Sequence, residues 1–299
     1  MVYPCQFLQL FNCIIMKTKY FTGLLILLAV LFQACDKIEE PFIKEGKVVW
    51  NGRKIIIYDF TGHKCGNCPR AHETINNLVD IYGDAIVPIA IHCTSFARVT
   101  NTDTANPYHY DFRTNIGDFL GGRDFEAGFY GEMTLPIGLV NNLSAEKLSP
   151  HTAWGTEIAK IISYYPEYMI NLSSDFNATD SLISVDVEVI TNLNNNRKLA
   201  LMVLIVEDHI FEWQKDYSLT NNDINNYEHN HVLRGGFNGN FGEIIKNNTD
   251  QTESGDILTK NYSLKSGNDW IVNNCVIVAY VYDFDTNEIL QAEVIHLSE

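Results

Sequence analysis

The sequence predicts an α/β domain followed by an all-β sandwich, and three observations lead to this fold class. In residues 46–165, apolar runs of strand length alternate with segments of helical spacing, which is typical of an α/β sheet. In residues 166–299, strand patterns follow one another without helices, which favours an antiparallel sandwich. The chain has 299 residues and 46% hydrophobic content, enough for two domains with their own cores.

Hydrophobic spacing places the elements of the first half. Residues 54–62 and 85–93 are continuous apolar runs, as expected for strands buried on both faces. Between them, residues 67–82 carry apolar side chains at helical spacing. We expect three further features: a polar insertion at 95–130 with a helix near 111–120, a loop entering a strand at 131–142, and an amphipathic helix at 151–165.

Alternation of apolar and polar residues places the strands of the second half. Residues 171–193 hold two runs joined by a polar turn, and the second run nearly alternates, as in a half-buried strand. We also expect a buried strand at 198–211, an edge strand at 259–267 and a hairpin at 275–297 that turns at 285–288.

A signal segment is predicted at the N-terminus. Basic residues precede an apolar run at 20–32, which is short for a stable membrane span. The run ends at Ala34-Cys35, which resembles the lipobox of bacterial lipoproteins, although Phe32 and Gln33 are bulkier than the usual residues. The resemblance implies that Cys35 is acylated and becomes the mature N-terminus. A plain cleaved signal and an uncleaved anchor are the alternatives.

The predicted location is the outer membrane or cell surface, outside the cytoplasm. Asp36, Glu39 and Glu40 follow the lipobox and resemble signals that send Bacteroidetes lipoproteins there. A lipid anchor would hold the chain at the membrane through its N-terminus. The formal charge is −16 and no long basic run occurs, so nucleic acid is not expected as a partner.

The stretch HKCGNCPR places Cys65 and Cys68 at the end of a predicted strand and the start of a predicted helix. A helix N-terminus stabilises an anion and lowers the pKa of a thiol. Lys64, Arg70 and His63 add positive character, with His63 as an exposed modulator. This context favours a redox dithiol. A structural disulfide and half of a metal site remain alternatives.

The other cysteines are interpreted mainly as core residues. His92 and Cys93 could complete a zinc or copper site with the C-x-x-C pair, but Cys93 ends a strand, where a small buried hydrophobe is commoner. Cys275 lies in the apolar run CVIVAYVY and is predicted to be buried. No metal and no cofactor is expected beyond a redox-active Cys65–Cys68 disulfide.

The first half resembles a thioredoxin-like domain. Asp59 lies six residues before Cys65, and Pro136 precedes a predicted strand. The resemblance implies that Asp59 is buried and moves a proton from Cys68, and that Pro136 is a cis-proline packed against the dithiol. The chain departs from the family at four positions, which leaves the direction of electron flow open: Lys64, Asn67, Pro69 and Glu73.

Two histidines stand out in the second half. We expect His229 and His231 to share a face of a strand, as solvated or hydrogen-bonded side chains rather than metal ligands. Gly235, Gly236 and Gly239 indicate a flexible loop, without the strand–loop–helix context of a phosphate-binding motif.

Two further segments carry a resemblance: HNHVLR at 229–234 and VIVAYVYDFDTNEILQA at 276–292. With the signal segment and the first half, they make nearly the whole mature chain resemble a Bacteroidetes outer-membrane lipoprotein family named for a 28-kDa member. The resemblance implies a thioredoxin-like domain, an immunoglobulin-like β domain and an envelope location, but no substrate. The predicted division is a signal peptide at 1–35, a linker at 36–45, a thioredoxin-like domain at 46–165 and an immunoglobulin-like sandwich at 166–299.

The first functional hypothesis is an envelope thiol–disulfide oxidoreductase that acts on the thiols or disulfides of envelope proteins. Cys65 would be the exposed nucleophilic thiolate and Cys68 would resolve the mixed disulfide. Asp59 would handle the proton, and the backbone at Pro136 would meet an extended substrate.

The alternative hypothesis is a non-enzymatic surface lipoprotein, used for adhesion or as an accessory subunit, with a relic dithiol. The lipoprotein signal, the β-sandwich pattern and the acidic surface support it. A third hypothesis is metal delivery, as in thioredoxin-fold copper chaperones.

Overall fold

The structure is a computed structural model that describes residues 52–297, and this part of the chain contains three α-helices and thirteen strands. The helices are α1 (Pro69–Tyr82), α2 (Asn115–Gly121) and α3 (His151–Ile161). The strands are β1 (Ile55–Thr61), β2 (Ile86–His92), β3 (Ile137–Val140), β4 (Tyr168–Asn177), β5 (Leu182–Thr191), β6 (Leu199–Glu207), β7 (Ile210–Lys215), β8 (Asp223–His229), β9 (Val232–Gly236), β10 (Glu243–Lys246), β11 (Ile257–Lys265), β12 (Cys275–Asp283) and β13 (Ile289–His296). The predicted elements are confirmed near their expected positions, whereas β7, β8, β9 and β10 did not follow from the sequence patterns.

An eight-stranded sheet contains strands from both halves of the sequence. Its strand order is β13-β12-β6-β9-β2-β1-β3, with β10 pairing with β6. Strands β1 and β2 are parallel, and β3 is antiparallel to β1. Strand β9 pairs with β2 on one side and with β6 on the other. The sheet is therefore continuous across residues 165 and 166. The domain boundary predicted at this point stays a prediction.

Helices α1 and α3 cover one face of the first-half strands. The α1 segment buries Ala71, Ile75 and Leu78, three residues at helical spacing, against the sheet. Helix α3 adds Trp154 and Ile158, both fully buried in the same apolar cluster. Because helices lie on this face and other apolar side chains on the opposite one, β1 is buried along its whole length.

The second half is a sandwich of two sheets. A three-stranded antiparallel sheet, β11-β5-β4, packs its apolar side chains against β6 and β12 of the large sheet. Strand β5 alternates buried and non-buried residues, whereas β6 and β12 are buried throughout. The all-β prediction for this half is confirmed; the immunoglobulin-like topology stays a prediction.

The predicted signal segment 1–35, with Cys35, and the linker 36–45 lie outside the described residues. Within residues 52–297, no helix combines the length and the apolar character needed to cross a membrane.

A buried pair of tyrosines joins the two halves and gives the first prediction. The hydroxyl groups of Tyr58 on β1 and Tyr280 on β12 are hydrogen-bonded at 2.6 Å, and both side chains are buried. Tyr58→Phe and Tyr280→Phe should each cost about 1–3 kcal/mol of unfolding free energy, because the remaining hydroxyl loses its partner. The double variant should cost less than the sum of the two, as measured by urea unfolding.

Tyr165→Phe is the matched control, since this tyrosine is 68% exposed. Additive effects of the two buried substitutions would show that this hydrogen bond does not couple the halves.

Candidate functional site

The C-x-x-C pair is closed as a disulfide and is buried. Cys65 and Cys68 are bonded, with a Cα–Cα distance of 5.4 Å. Cys68 is the N-cap of α1, which starts at Pro69, so the pair lies at a helix N-terminus as expected. The exposed fraction is 2% for Cys65 and 0% for Cys68. The expectation that Cys65 is exposed is therefore wrong for this state; its chemical role stays a prediction.

The β7–β8 hairpin packs over the backbone of the C-x-x-C motif. We call residues 62–66 the motif loop, and four of its carbonyl groups accept hydrogen bonds from the hairpin. The Lys215 amide donates to the His63 carbonyl and the Tyr217 amide donates to the Gly66 carbonyl, both at 2.8 Å. The Gln214 side-chain amide donates to the carbonyls of Cys65 at 3.1 Å and Gly62 at 3.4 Å. The loop backbone is thus capped by the hairpin.

The hairpin was missed because its sequence is polar and its two apolar runs are short. The signal that could have found it is IFEWQK and DINNYEH, two strand-length segments on either side of the turn residues DYSLTNN. Its contacts with the motif loop could not be read from that pattern.

His63 is a buried ring rather than an exposed modulator. It is 1% exposed, and its ring lies 5.2 Å from that of Tyr108 and 5.6 Å from that of Phe112. Both neighbours belong to the insertion between β2 and α2, a long-range contact that the local sequence does not show. Burial lowers the pKa of His63 to about 4, so the ring is neutral near neutral pH and adds no positive charge beside the cysteines.

Asp59 is fully buried, as the thioredoxin resemblance implied. Neither carboxyl oxygen has a hydrogen-bond partner among the described residues, and Nε2 of His72 lies 3.4 Å from Oδ2. Burial raises the pKa of Asp59 to about 8 and lowers the pKa of His72 to about 4. Near neutral pH the two groups are therefore mainly an uncharged carboxylic acid and a neutral imidazole.

A small polar cavity adjoins Asp59. Its volume is about 40 Å³, enough for at least one water molecule, and its walls include Asp59, His72, His92 and Tyr227. The Tyr227 hydroxyl is hydrogen-bonded to Nδ1 of His72 at 2.8 Å. Tyr227 lies on β8, so the hairpin that covers the disulfide also closes the cavity next to Asp59.

Pro136 follows a cis peptide bond after Leu135, as predicted. Leu135 is buried in the apolar cluster that contains Cys65 and Cys68. The structure therefore brings the cis-proline turn and the disulfide into one cluster, with Asp59 on the strand that leads to the motif.

His92 and Cys93 do not form a metal site with the disulfide. Among the described residues, no group of three or more His, Cys, Asp or Glu side chains could hold a metal ion. The His92 ring is stacked on Phe112 at 4.3 Å. Cys93 and Cys275 are free and buried, and burial raises the pKa of both thiols. Their prediction as core residues is confirmed.

His229 and His231 do not share a strand face. Strand β8 ends at His229, which is 2% exposed, whereas His231 precedes β9 with a φ of 58°. Because His231 has a left-handed backbone conformation, side chains two residues apart do not point to the same face here, as they would in a continuous strand. The predicted loop at Gly235 and Gly236 is also wrong, because both residues belong to β9.

Comparison with known proteins relates the chain to a family of outer membrane proteins. The family model described as "Outer membrane protein Omp28" matches residues 125–297. No curated protein matches the chain. Among solved structures, HBP35 of Porphyromonas gingivalis is similar at 15% identity and a TM-score of 0.55, covering 82% of this chain and 76% of that one.

Two further structures are similar over different lengths. An Agrobacterium tumefaciens protein has 12% identity and a TM-score of 0.45, covering 84% of this chain and 97% of that one. A domain of the outer membrane lipoprotein Omp28 from Porphyromonas gingivalis has 21% identity and a TM-score of 0.28, covering 44% of this chain and 88% of that one.

Burial of Asp59 gives the second prediction. Its pKa is raised from 3.8 to about 8 in the folded protein, so the unfolded chain releases this proton first as the pH rises. Asp59 should therefore lower the free energy of unfolding as the pH rises from about 4 to about 8, with a slope of up to ~1.4 kcal/mol per pH unit. The isosteric Asp59→Asn variant should lack this slope and gain stability relative to the parent across the window.

Urea unfolding at several pH values measures this effect. Asp175→Asn is the control, since Asp175 is exposed on β4. Equal pH dependence of the parent and the Asp59→Asn variant would contradict the prediction.

Proposed function

Because the chain belongs to the Omp28 family of outer membrane proteins, we propose that it is a lipid-anchored surface protein that works by binding a partner. The protein is located at the outer membrane or cell surface. In this proposal Cys35 carries the lipid and the Cys65–Cys68 pair is a covered disulfide rather than an exposed exchanger.

The proposal includes a thioredoxin-like fold for residues 46–165. Parallel β1 and β2 joined through α1, antiparallel β3 beside β1, and the disulfide at the start of α1 support this.

One observation carries the proposal: Cys65 is only 2% exposed, beneath the hairpin. Thiol–disulfide exchange requires an incoming thiolate to reach a sulfur atom. In this state the hairpin occupies the approach to the motif loop through its contacts at Lys215 and Tyr217. A surface protein with a covered disulfide is therefore the function that the geometry supports best.

The third prediction tests whether the covered disulfide takes part in exchange. The native chain should neither reduce nor oxidise a fluorescent disulfide peptide faster than the Cys65→Ser variant does. Dithiothreitol should open the Cys65–Cys68 bond much more slowly in native than in urea-unfolded protein, as followed by mass spectrometry of the peptide containing both residues. Turnover above the Cys65→Ser background would overturn the binding-protein proposal.

A second candidate function is a thiol–disulfide oxidoreductase, and the environment of Asp59 favours it. A buried carboxyl group whose pKa is raised to about 8 can accept and release a proton near neutral pH. Here a partner dithiol would first reduce the Cys65–Cys68 disulfide by exchange, after the hairpin moves away, and would itself become a disulfide. The Cys65 thiolate would then attack a second partner's disulfide and release one of its sulfurs as a thiolate. Cys68, giving its proton to Asp59, would attack the Cys65 sulfur of the mixed disulfide, release the other partner thiolate and re-form the Cys65–Cys68 bond.

The fourth prediction separates the two candidates by redox equilibrium. The protein is equilibrated against redox buffers of defined potential, and the oxidised fraction of the Cys65–Cys68 pair is measured. A covered structural disulfide should remain oxidised to below about −300 mV. A reversible two-electron transition between about −120 and −270 mV, the range of catalytic dithiols, would instead favour the oxidoreductase.

A further inference from the structure

The β7–β8 hairpin is attached to the rest of the protein in an unusual way. Its two strands pair with each other and belong to neither of the larger sheets. None of its residues, 210–229, belongs to the three apolar core clusters formed by the described residues. A segment held by hydrogen bonds rather than by a shared apolar core belongs to the low-stability end of local opening.

Each end of the hairpin has a residue in the left-handed backbone conformation. His209 precedes β7 with a φ of 60°, and His231 follows β8 with a φ of 58°. Both are non-glycine residues in the left-handed region, which is uncommon. The Asp208 carboxylate accepts a hydrogen bond from the His231 amide at 2.6 Å, and Asn230 Oδ1 accepts one from the His209 amide at 2.9 Å. The base is therefore fixed locally, independently of the contacts at the motif.

At the motif, the hairpin docks through the end of β7 and the first two residues that follow it, Asp216 and Tyr217. The amides of Lys215 and Tyr217 point to the motif loop, whereas the intervening Asp216 amide donates to the Asn222 carbonyl on the other side. This alternation is the pattern by which an added strand presents every second amide to a binding surface. The Gln214 side chain caps the carbonyl groups of Gly62 and Cys65.

Gly66 forms a flat seat for an aromatic ring. A Cβ atom at this position would lie 2.5 Å from Cγ of Tyr217, so the ring rests directly on the glycine. The Tyr217 side chain is nevertheless 56% exposed, which means that it covers the motif without being enclosed. The motif loop thus provides four carbonyl acceptors and a glycine platform for one extended segment.

We propose that the motif loop is a peptide-binding surface, occupied in this structure by residues 214–217 of the hairpin, and that an extended segment of a partner protein displaces them. The partner segment carries a side-chain amide followed three positions later by an aromatic ring. The hairpin is the internal competitor, hinged at His209 and His231. The inference rests on the proposed binding function and names the kind of partner for it.

The hairpin's other contacts oppose its release. Tyr227 bonds His72, Asp223 bonds Tyr108, and Glu212 lies 3.5 Å from His109. Two ring contacts add to these polar ones: Trp213 lies 6.4 Å from Tyr108 and His229 lies 4.6 Å from Phe112. None of these contacts involves Tyr217. Loosening the tip at Tyr217 therefore frees the motif loop without removing these contacts.

The test uses the full chain with Tyr217→Ala, which leaves Gly66 and the acceptor carbonyls intact. Phe211→Ala is the matched control, because Phe211 is a 52% exposed aromatic residue of the same hairpin. Hydrogen exchange at the amides of residues 215 and 217 should become about fivefold faster or more in Tyr217→Ala and stay unchanged in the control.

The binding probe is the synthetic peptide WQKDYSL, the sequence of residues 213–219, with WQKDASL as its control. WQKDYSL should bind the Tyr217→Ala protein, and WQKDASL should not. The double variant Gly66→Ala/Tyr217→Ala should bind neither, because the added Cβ fills the ring's seat. Failure of WQKDYSL to bind a folded Tyr217→Ala protein, or exchange at residues 215 and 217 only through global unfolding, would overturn the inference.

The result of the peptide-binding test can be distinguished from the result of the test of the proposed function. Peptide binding is read by titration with no redox reagent present, and turnover of disulfides by the separate fluorescent assay. A protein that turns over disulfides but does not bind the peptide would fail both, whereas a redox-inert protein that does not bind the peptide would fail this inference alone.

Discussion

Strand β9 is the constraint on which the rest of the structure depends. It pairs with β2 through Ala90 and Val232, and with β6 through four residue pairs, and so joins the first-half strands to the sandwich. Without β9 the large sheet would divide into two smaller sheets, and the edge strand of each would have unpaired backbone groups. Because the β7–β8 hairpin ends two residues before β9 starts, the same pairing places the hairpin over the motif loop.

The interface beneath the hairpin contains many titratable groups but little charge. Burial lowers the pKa values of His63, His72 and His92, and raises that of Asp59. Each group therefore adopts its neutral form near neutral pH, and the hairpin docks without burying an unpaired ion.

The sequence predicted the parts of the fold in which local pattern and burial agree. The runs that became β1, β2, β6 and β12 are apolar because both of their faces are covered, so period and composition locate them. The spacing of Asp59, Cys65 and Pro136 likewise located one region of the structure. The exposure of Cys65 and His63 was predicted wrongly, because the motif loop packs against residues that are distant in sequence: Tyr217 lies on Gly66, and Tyr108 lies beside the His63 ring. Contacts made through backbone carbonyl groups do not depend on apolar side chains, so a hydrophobic pattern cannot predict them.

The position of the hairpin couples two properties: the reactivity of the disulfide and the affinity of the motif loop for a partner segment. A partner's thiolate and a partner's extended segment would both approach through the space that Gln214 and Tyr217 now occupy. Any ligand that binds only the open hairpin has an apparent affinity reduced by the fraction of molecules that are open. The few hydrogen bonds between the hairpin and the motif loop therefore set both the reactivity of the disulfide and the affinity of the surface beneath it. A change that weakens these bonds raises both together, whereas a change in the sulfur chemistry alone leaves the surface as it is.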